Sequence, residues 1–176
     1  MLEIVKRAQK GDSEAFLALF QKFEKDIYRI AFIYVKNKND ALDVVQETAY
    51  RSFKTIRKLK EPQYLKTWLI RITINCAIDL LKKQRKDVQF SIDDTEYISN
   101  HVNENIDLEL TLEELMNDLN ELEKSVVILK YYEDLTFKEI AQLIEIPTST
   151  AKTVLYRALE KLRQKLKSGD DDESKF

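Results

Sequence analysis

The sequence predicts an all-α protein: two small helical domains joined by an acidic linker. Three observations predict it. Two glycines and two prolines in 176 residues leave too little turn chemistry for a β-sandwich or barrel. Apolar residues recur every three or four positions over long stretches, the period of a helix with one buried face. The charge falls in blocks. Residues 1–86 hold 19 Lys and Arg against 10 Asp and Glu, residues 87–123 hold 12 acids and no base, and residues 124–167 hold 9 bases against 5 acids. Two basic blocks about an acidic one suggest two modules that face polyanions, which the net charge of −2 conceals.

Each element can be justified in chain order. Gly11-Asp12-Ser13 offers an N-cap. After it, Phe16, Leu19, Phe20, Phe23, Ile27 and Ile30 make one apolar stripe. Residues 37–40 are a polar break in which Asn39 can cap the next helix, with Val45, Ala49 and Phe53 inward and Asp43, Gln46, Glu47 and Tyr50 outward. Residues 57–63 form a basic loop containing Pro62. A long helix follows over residues 65–83, with Leu65, Trp68, Leu69, Ile72 and Cys76 on its apolar stripe. Residues 88–105 lack a sustained period and read as linker. Thr111 and Glu114 make a capping-box pattern, and Leu115, Leu119, Leu122, Val126 and Leu129 form the next stripe. Gly169 is expected to end the last helix, before a frayed acidic tail. The domains are therefore expected at 1–86 and 108–167, with the linker over 87–107 and the tail over 168–176.

Several function classes are disfavoured. The longest apolar run, residues 30–35, is far too short to span a bilayer, and residues 1–16 lack a signal-peptide core. Cys76 is the one cysteine, so no disulfide forms within the chain, and it reads as a small buried hydrophobe. A reducing cytoplasm fits. The one histidine, His101, lies in the linker, a poor place for a preorganised base. The linker acids Asp93, Asp94 and Glu96 lack calcium-loop spacing, and there is no glycine-rich phosphate loop. No catalytic residue, metal or cofactor is expected.

Residues 135–166 carry the sharpest pattern. Thr136 and Glu139 make a second capping box, and Ile140, Ala141 and Ile144 form the inner face of a short helix. Ala141 is small enough for a steep helix crossing. Pro147 disfavours helical geometry in the residue before it, and Thr148 or Ser149 can cap a second helix. In that helix Ala151, Leu155, Ala158 and Leu162 face inward, while Lys152, Thr153, Tyr156 and Arg157 share the opposite face near its start. A helix-turn-helix puts such positions into the major groove, where cations meet phosphates or guanine edges.

Leu135-Thr-Phe-Lys-Glu-Ile-Ala-Gln-Leu-Ile-Glu-Ile-Pro147, with Thr150, Lys152, Leu155, Tyr156, Arg157 and Ala158, resembles the C-terminal domain of bacterial extracytoplasmic-function (ECF) sigma factors. Asp40-Ala-Leu-Asp-Val-Val-Gln-Glu47 resembles the family's core-polymerase-binding helix. Thr67-Trp-Leu-Ile-Arg-Ile-Thr-Ile-Asn75, with Ala77, Asp79 and Leu81, resembles its promoter-opening helix. The resemblance covers residues 13–166 in family order. It implies that Asp43, Val44, Gln46 and Glu47 contact the clamp helices of the largest polymerase subunit, and that the flap is a second contact. It implies that residues 57–64, with Lys58 and Tyr64, capture a base flipped from the −10 element, and that Arg71, Asn75 and Lys82 hold that element's duplex edge. It implies that Lys152, Thr153, Tyr156 and Arg157 read the −35 element, and that the linker threads the RNA channel. A membrane-anchored anti-sigma factor is an implied partner, and the free protein is expected to be a monomer without direct membrane insertion.

The sequence departs from the family pattern at four positions. Ser149 replaces a usual glycine, Val154 and Leu159 stand where many members have arginine, and Leu42 takes an often acidic position. The loss of arginine predicts a weak grip on DNA by the isolated C-terminal domain. The alternative reading, a self-sufficient helix-turn-helix regulator, requires a sensor pocket or dimer helix ahead of the motif, and the basic N-terminal half suggests neither.

Overall fold

The structure, a computed structural model, describes residues 1–90 and 115–173, with side chains over 1–86 and 115–166. Most of the expected linker, its acids Asp93, Asp94 and Glu96, His101, the Thr111–Glu114 capping box and the last residues of the tail lie outside the described residues. The chain divides into two compact units. Among the described residues all regular structure is helical.

The first unit contains α1 (Leu2–Gln9), α2 (Ser13–Gln21), α3 (Glu24–Val35), α4 (Lys38–Thr55) and α5 (Leu65–Phe90), with 3₁₀ turns at Ile56–Lys58 and Pro62–Tyr64. Gly11, at φ 97°, turns the chain between α1 and α2, and Asp12 then caps α2 by accepting from the Ala15 amide at 3.0 Å. The single apolar stripe expected over residues 16–30 is split at Phe23, where the chain leaves helical geometry. The split lets α2 pack on α1 while α3 packs on α4 and α5. The cap of α4 is Asn37, not Asn39: its side chain accepts from the amides of Asn39 (2.8 Å) and Asp40 (3.1 Å).

Two inward faces differ from the periodicity reading. On α4 the buried residues are Ala41, Val44, Val45, Thr48 and Ser52, while Phe53 is exposed. The small hydroxyls can be buried because each returns its proton to the helix. Thr48 donates to the Val44 carbonyl at 2.7 Å and Ser52 to the Ala49 carbonyl at 3.1 Å. On α5 the buried set is Leu65, Leu69, Ile70, Thr73, Ile74, Cys76 and Ala77, and Trp68 and Ile72 are only half-buried at its margin. Burying each large aliphatic side chain supplies about 1.5–3 kcal/mol, so the register with the most aliphatic contact wins. α5 also continues to Phe90, past the expected end at Lys83, because no proline or glycine stops it.

The second unit contains α6 (Glu121–Val127), a π-helical turn (Ile128–Tyr132), α7 (Phe137–Leu143) and α8 (Thr148–Glu173). Met116, Leu119, Val126, Leu129, Ile140, Ala141, Ala151, Leu155 and Ala158 form its core. Leu122, expected inside, is exposed, and its neighbour Glu123 is buried instead. α8 runs through Gly169, which therefore does not end it.

Candidate nucleic-acid interface

The C-terminal candidate surface is built by the turn between α7 and α8. The Thr136–Glu139 capping box forms as expected: Glu139 Oε2 accepts from the Thr136 amide at 2.8 Å and hydroxyl at 2.7 Å, and Thr136 accepts from the Glu139 amide. The hydrogen bonds from Thr136 hold the Glu139 carboxyl below its usual range. α7 ends at Leu143, and Glu145 turns the chain at φ 58°. The Ile146 amide donates to the Ala141 carbonyl at 3.0 Å, tying off the end of the helix. Pro147, rather than Thr148 or Ser149, sits ahead of α8, and its carbonyl accepts the first helical bond, from Ala151.

From that start, Ala151, Val154, Leu155 and Ala158 turn inward, and Lys152, Thr153, Tyr156 and Arg157 turn to solvent. Tyr156 is 66% exposed, so its ring has no packing role inside the unit. Thr153 donates to the Ser149 carbonyl at 3.0 Å, which fixes its rotamer. The Lys152 ammonium lies 5.8 Å from the Phe137 ring centre, and Lys130 lies 5.8 Å from the same ring. Lys130 also donates to the Leu135 carbonyl at 3.0 Å. Lys130 lies in the π-helical turn, which no local sequence pattern announced. Val154 corrects an expectation. It is buried against the core, so at this position of this chain the absent arginine is not a missing groove contact.

The N-terminal candidate surface combines the loop after α4 with α5. Ile56 and Leu59 are buried and anchor the loop, leaving Arg57, Lys58, Lys60 and Tyr64 exposed. Tyr64 is 50% exposed at the end of its 3₁₀ turn. Along α5, Asn75 and Lys82 are exposed and Arg71 is half-buried, all on the side opposite Leu69, Thr73 and Ala77. Trp68 sits on that outward side as well, packed at one edge against the core. Asn75 and Lys82, two turns apart, are separated by about 10 Å along the axis.

The outward face of α4 carries Leu42, Asp43, Gln46, Tyr50 and Phe53, all exposed. Lys54 bonds the Tyr50 hydroxyl, with its ammonium 4.2 Å from the ring centre. Two of the four residues assigned to a protein contact change meaning here. Val44 is 1% exposed and belongs to the core, so it cannot touch a partner on this face. Glu47 is half-buried and its carboxylate binds Arg51 at 2.6 Å; Arg51 in turn reaches Asp79 on α5 at 2.7 Å. Hydrogen bonds to Asp79 and Glu47 raise the Arg51 pKa still further and make it a cross-tie between α4 and α5. Beneath it, burial pushes the Cys76 thiol up, as befits a packed side chain rather than a reactive one.

Comparison with known proteins meets this geometry at both surfaces. Residues 19–87 match the family model for Sigma-70 region 2, and residues 109–162 match that for Sigma-70 region 4. The RNA polymerase sigma factor SigV of Bacillus subtilis is 36% identical over 147 residues, covering 84% of this chain and 88% of SigV. The chain is an ECF sigma factor. The ECF sigma factor SigW of the same organism is 27% identical over 177 residues, covering 93% and 95% of the two chains. Among solved structures, the sigma factor RpoE of Bartonella quintana, in complex with the anti-sigma factor NepR, aligns with a TM-score of 0.70 at 21% identity, over 86% of this chain and 96% of that one. CnrH, in complex with the cytosolic domain of CnrY, aligns at 0.67 and 18% identity, over 94% and 96%. These two share the fold. In this ECF sigma factor α3, α4 and most of α5 therefore belong to region 2, and α6, α7 and α8 as far as Leu162 to region 4. α1 lies outside both matches. No helix among the described residues is long and apolar enough to cross a membrane.

Proposed function

We propose that this sigma factor grips core polymerase with α4 and the promoter with two separate surfaces, one in each unit. The observation that carries the reading is the outward set Lys152, Thr153, Tyr156 and Arg157 at the start of α8, four exposed side chains with no duty in the core. On this reading they bind the −35 element, the two cations meeting phosphate or guanine and the hydroxyl and ring fixing register. Arg71, Asn75 and Lys82 hold the duplex edge of the −10 element. Lys58 and Tyr64 in the loop 57–64 capture the extruded base, whose stacking on Tyr64 offsets part of the cost of opening. Asp43 and Gln46, with Leu42 and Tyr50 beside them, meet the clamp helices of the largest subunit, and the second unit meets the flap. Glu47 contributes by holding Arg51.

The functional domains are 1–86 and 108–167, joined by the acidic segment 87–107 and followed by the tail 168–176. The protein works in the cytoplasm and is a monomer when free. A membrane-anchored anti-sigma factor covers the α4 and α8 faces until an envelope signal releases it; the anti-sigma factor NepR bound to RpoE supports an anti-sigma partner. No catalytic residue, cofactor or metal takes part, because the polymerase supplies the chemistry.

The decisive experiment mixes the full chain with core polymerase free of any sigma factor and transcribes a promoter library. Co-elution with core and transcripts from a defined subset of promoters are expected. Failure to associate with core overturns the reading. Promoter binding without polymerase would favour a self-sufficient regulator instead.

A further inference from the structure

The helix α1 precedes the region 2 match, which begins at residue 19, yet it touches the loop that the reading above assigns to base capture. The Gln9 side-chain amide donates two hydrogen bonds, to the carbonyls of Ile56 (3.2 Å) and Leu59 (2.7 Å). Those carbonyls bracket Arg57 and Lys58, where the chain leaves α4. Ile56 and Leu59 themselves are buried in the same cluster as Val5 and Ala8 of α1. The first turn of the loop is thus held by its side chains in the core and by one amide on its backbone.

α1 is itself fixed. Arg7 donates to Asp12 Oδ2 at 2.8 Å while Asp12 Oδ1 caps α2, so one carboxylate ties both helices together. The Arg57 guanidinium approaches to 3.5 Å of the place a Cβ would occupy on Gly11, so the loop also lies against this turn. A loop that receives one extruded base captures it more tightly if its backbone is already ordered, since ordering on capture costs free energy. A side chain with two donors is suited to that task, because it reaches both ends of the turn at once: the Ile56 carbonyl, which also accepts from the Leu59 amide at 3.1 Å, and the Leu59 carbonyl.

We propose that Gln9 is a positioning residue for promoter opening: its amide sets the backbone of the loop 57–64, which makes α1 part of the base-capture device. The proposal rests on the assignment of that loop to the extruded base.

The test uses the full chain with core polymerase on a promoter selected as above. Gln9→Met keeps the length and removes both donors, Gln9→Glu keeps the shape and can only accept, and Gln9→Lys restores donors. Opening is read by permanganate reactivity of −10 thymines, and base preference by a library randomised at the captured position. Gln9→Met and Gln9→Glu are expected to lower the open fraction about fivefold and to flatten base preference, with core association unchanged; Gln9→Lys recovers most of both. Normal opening and preference in Gln9→Met overturns the proposal, as does a loss of opening that only parallels a loss of core association. The paired variants Lys58→Ala and Tyr64→Ala separate the two levels. If they leave opening and preference intact, the loop assignment is wrong. If they impair both while Gln9→Met does not, only the role of Gln9 is wrong.

Discussion

The Lys161 ammonium on α8 lies 2.8 Å from the Glu123 carboxylate on α6, and Glu123 is only 2% exposed. The same carboxylate closes a capping box by accepting from the Asn120 amide at 2.9 Å, while its other oxygen, Oε1, is buried without a partner. One side chain therefore ends a helix and joins two helices, at the cost of burying a charge. Its contact with Lys161, midway along α8, means that α8 is oriented partly by an ion pair and not by apolar packing alone.

Breaking that pair from the Lys161 side is expected to be costly. Lys161→Met leaves the buried carboxylate uncompensated and should destabilise the second unit by about 2 kcal/mol, less than for a fully buried pair because Lys161 is partly exposed. Hydrogen exchange at the amides of α6 reads this loss locally. Unchanged protection would show that the pair contributes nothing.

The same group predicts a pH dependence. Burial opposes the Glu123 charge, but the Lys161 ammonium and the Asn120 amide outweigh it and hold the carboxyl below 4.5. A carboxyl depressed in the folded state stabilises above its unfolded pKa, and loses that contribution as pH falls through the folded value. Stability from this group should be constant from neutrality to about pH 4.5 and decline below it. Thermal melts of Glu123→Gln should show a shallower acid slope than the parent.

On α4, binding and folding should separate by face. Leu42→Ser and Tyr50→Ser are expected to weaken core association about tenfold each, with stability changed by less than about 0.5 kcal/mol. Val44→Ala should cost about 1–2 kcal/mol and affect binding only through folding. Gel filtration with core and denaturant melts check both halves. A Val44→Ala protein that folds normally but fails to bind would contradict the burial of that side chain.

On α8, Lys152→Ala should weaken DNA binding across sequences and reduce the slope of log affinity against log salt by about 1, as expected for one lost phosphate contact. Tyr156→Ala should alter promoter choice more than salt dependence. Holoenzyme binding to −35 duplexes at several salt concentrations measures both.

Glu145 predicts a gain. It holds φ 58°, a left-handed conformation that costs a side-chain-bearing residue about 1–2 kcal/mol. Glu145→Gly should raise stability by about 1 kcal/mol once the greater freedom of glycine in the unfolded chain is deducted. A fall in melting temperature would mean that the side chain's own interactions outweigh the backbone relief.

Much of this protein was readable before any coordinates. Capping boxes are local chemistry, so Thr136 and Glu139 announced their helix correctly. The outward set at the start of α8 followed from helical spacing, and the charge blocks marked two polyanion-facing modules. The three family-like segments then located the regions that the comparisons match. These features depend on residues within a few positions of one another, or on sums of charge that folding does not change.

Tertiary structure decided the rest, because packing chooses which part of a broad stripe goes inside. Periodicity put Phe53, Ile72 and Leu122 inward; the fold placed Ser52, Thr73 and Glu123 in the interior, where local hydrogen bonds or a remote lysine satisfy their polar atoms. Val44 moved from interface to core for the same reason, and Val154, expected only as a lost arginine, lies in the core as well. Glu47 reads as an exposed acid until Arg51 and Asp79 surround it, and Gln9 reads as one polar residue among many until it meets two carbonyls some fifty positions away. Such contacts join residues that the chain order keeps apart, and no local pattern encodes them.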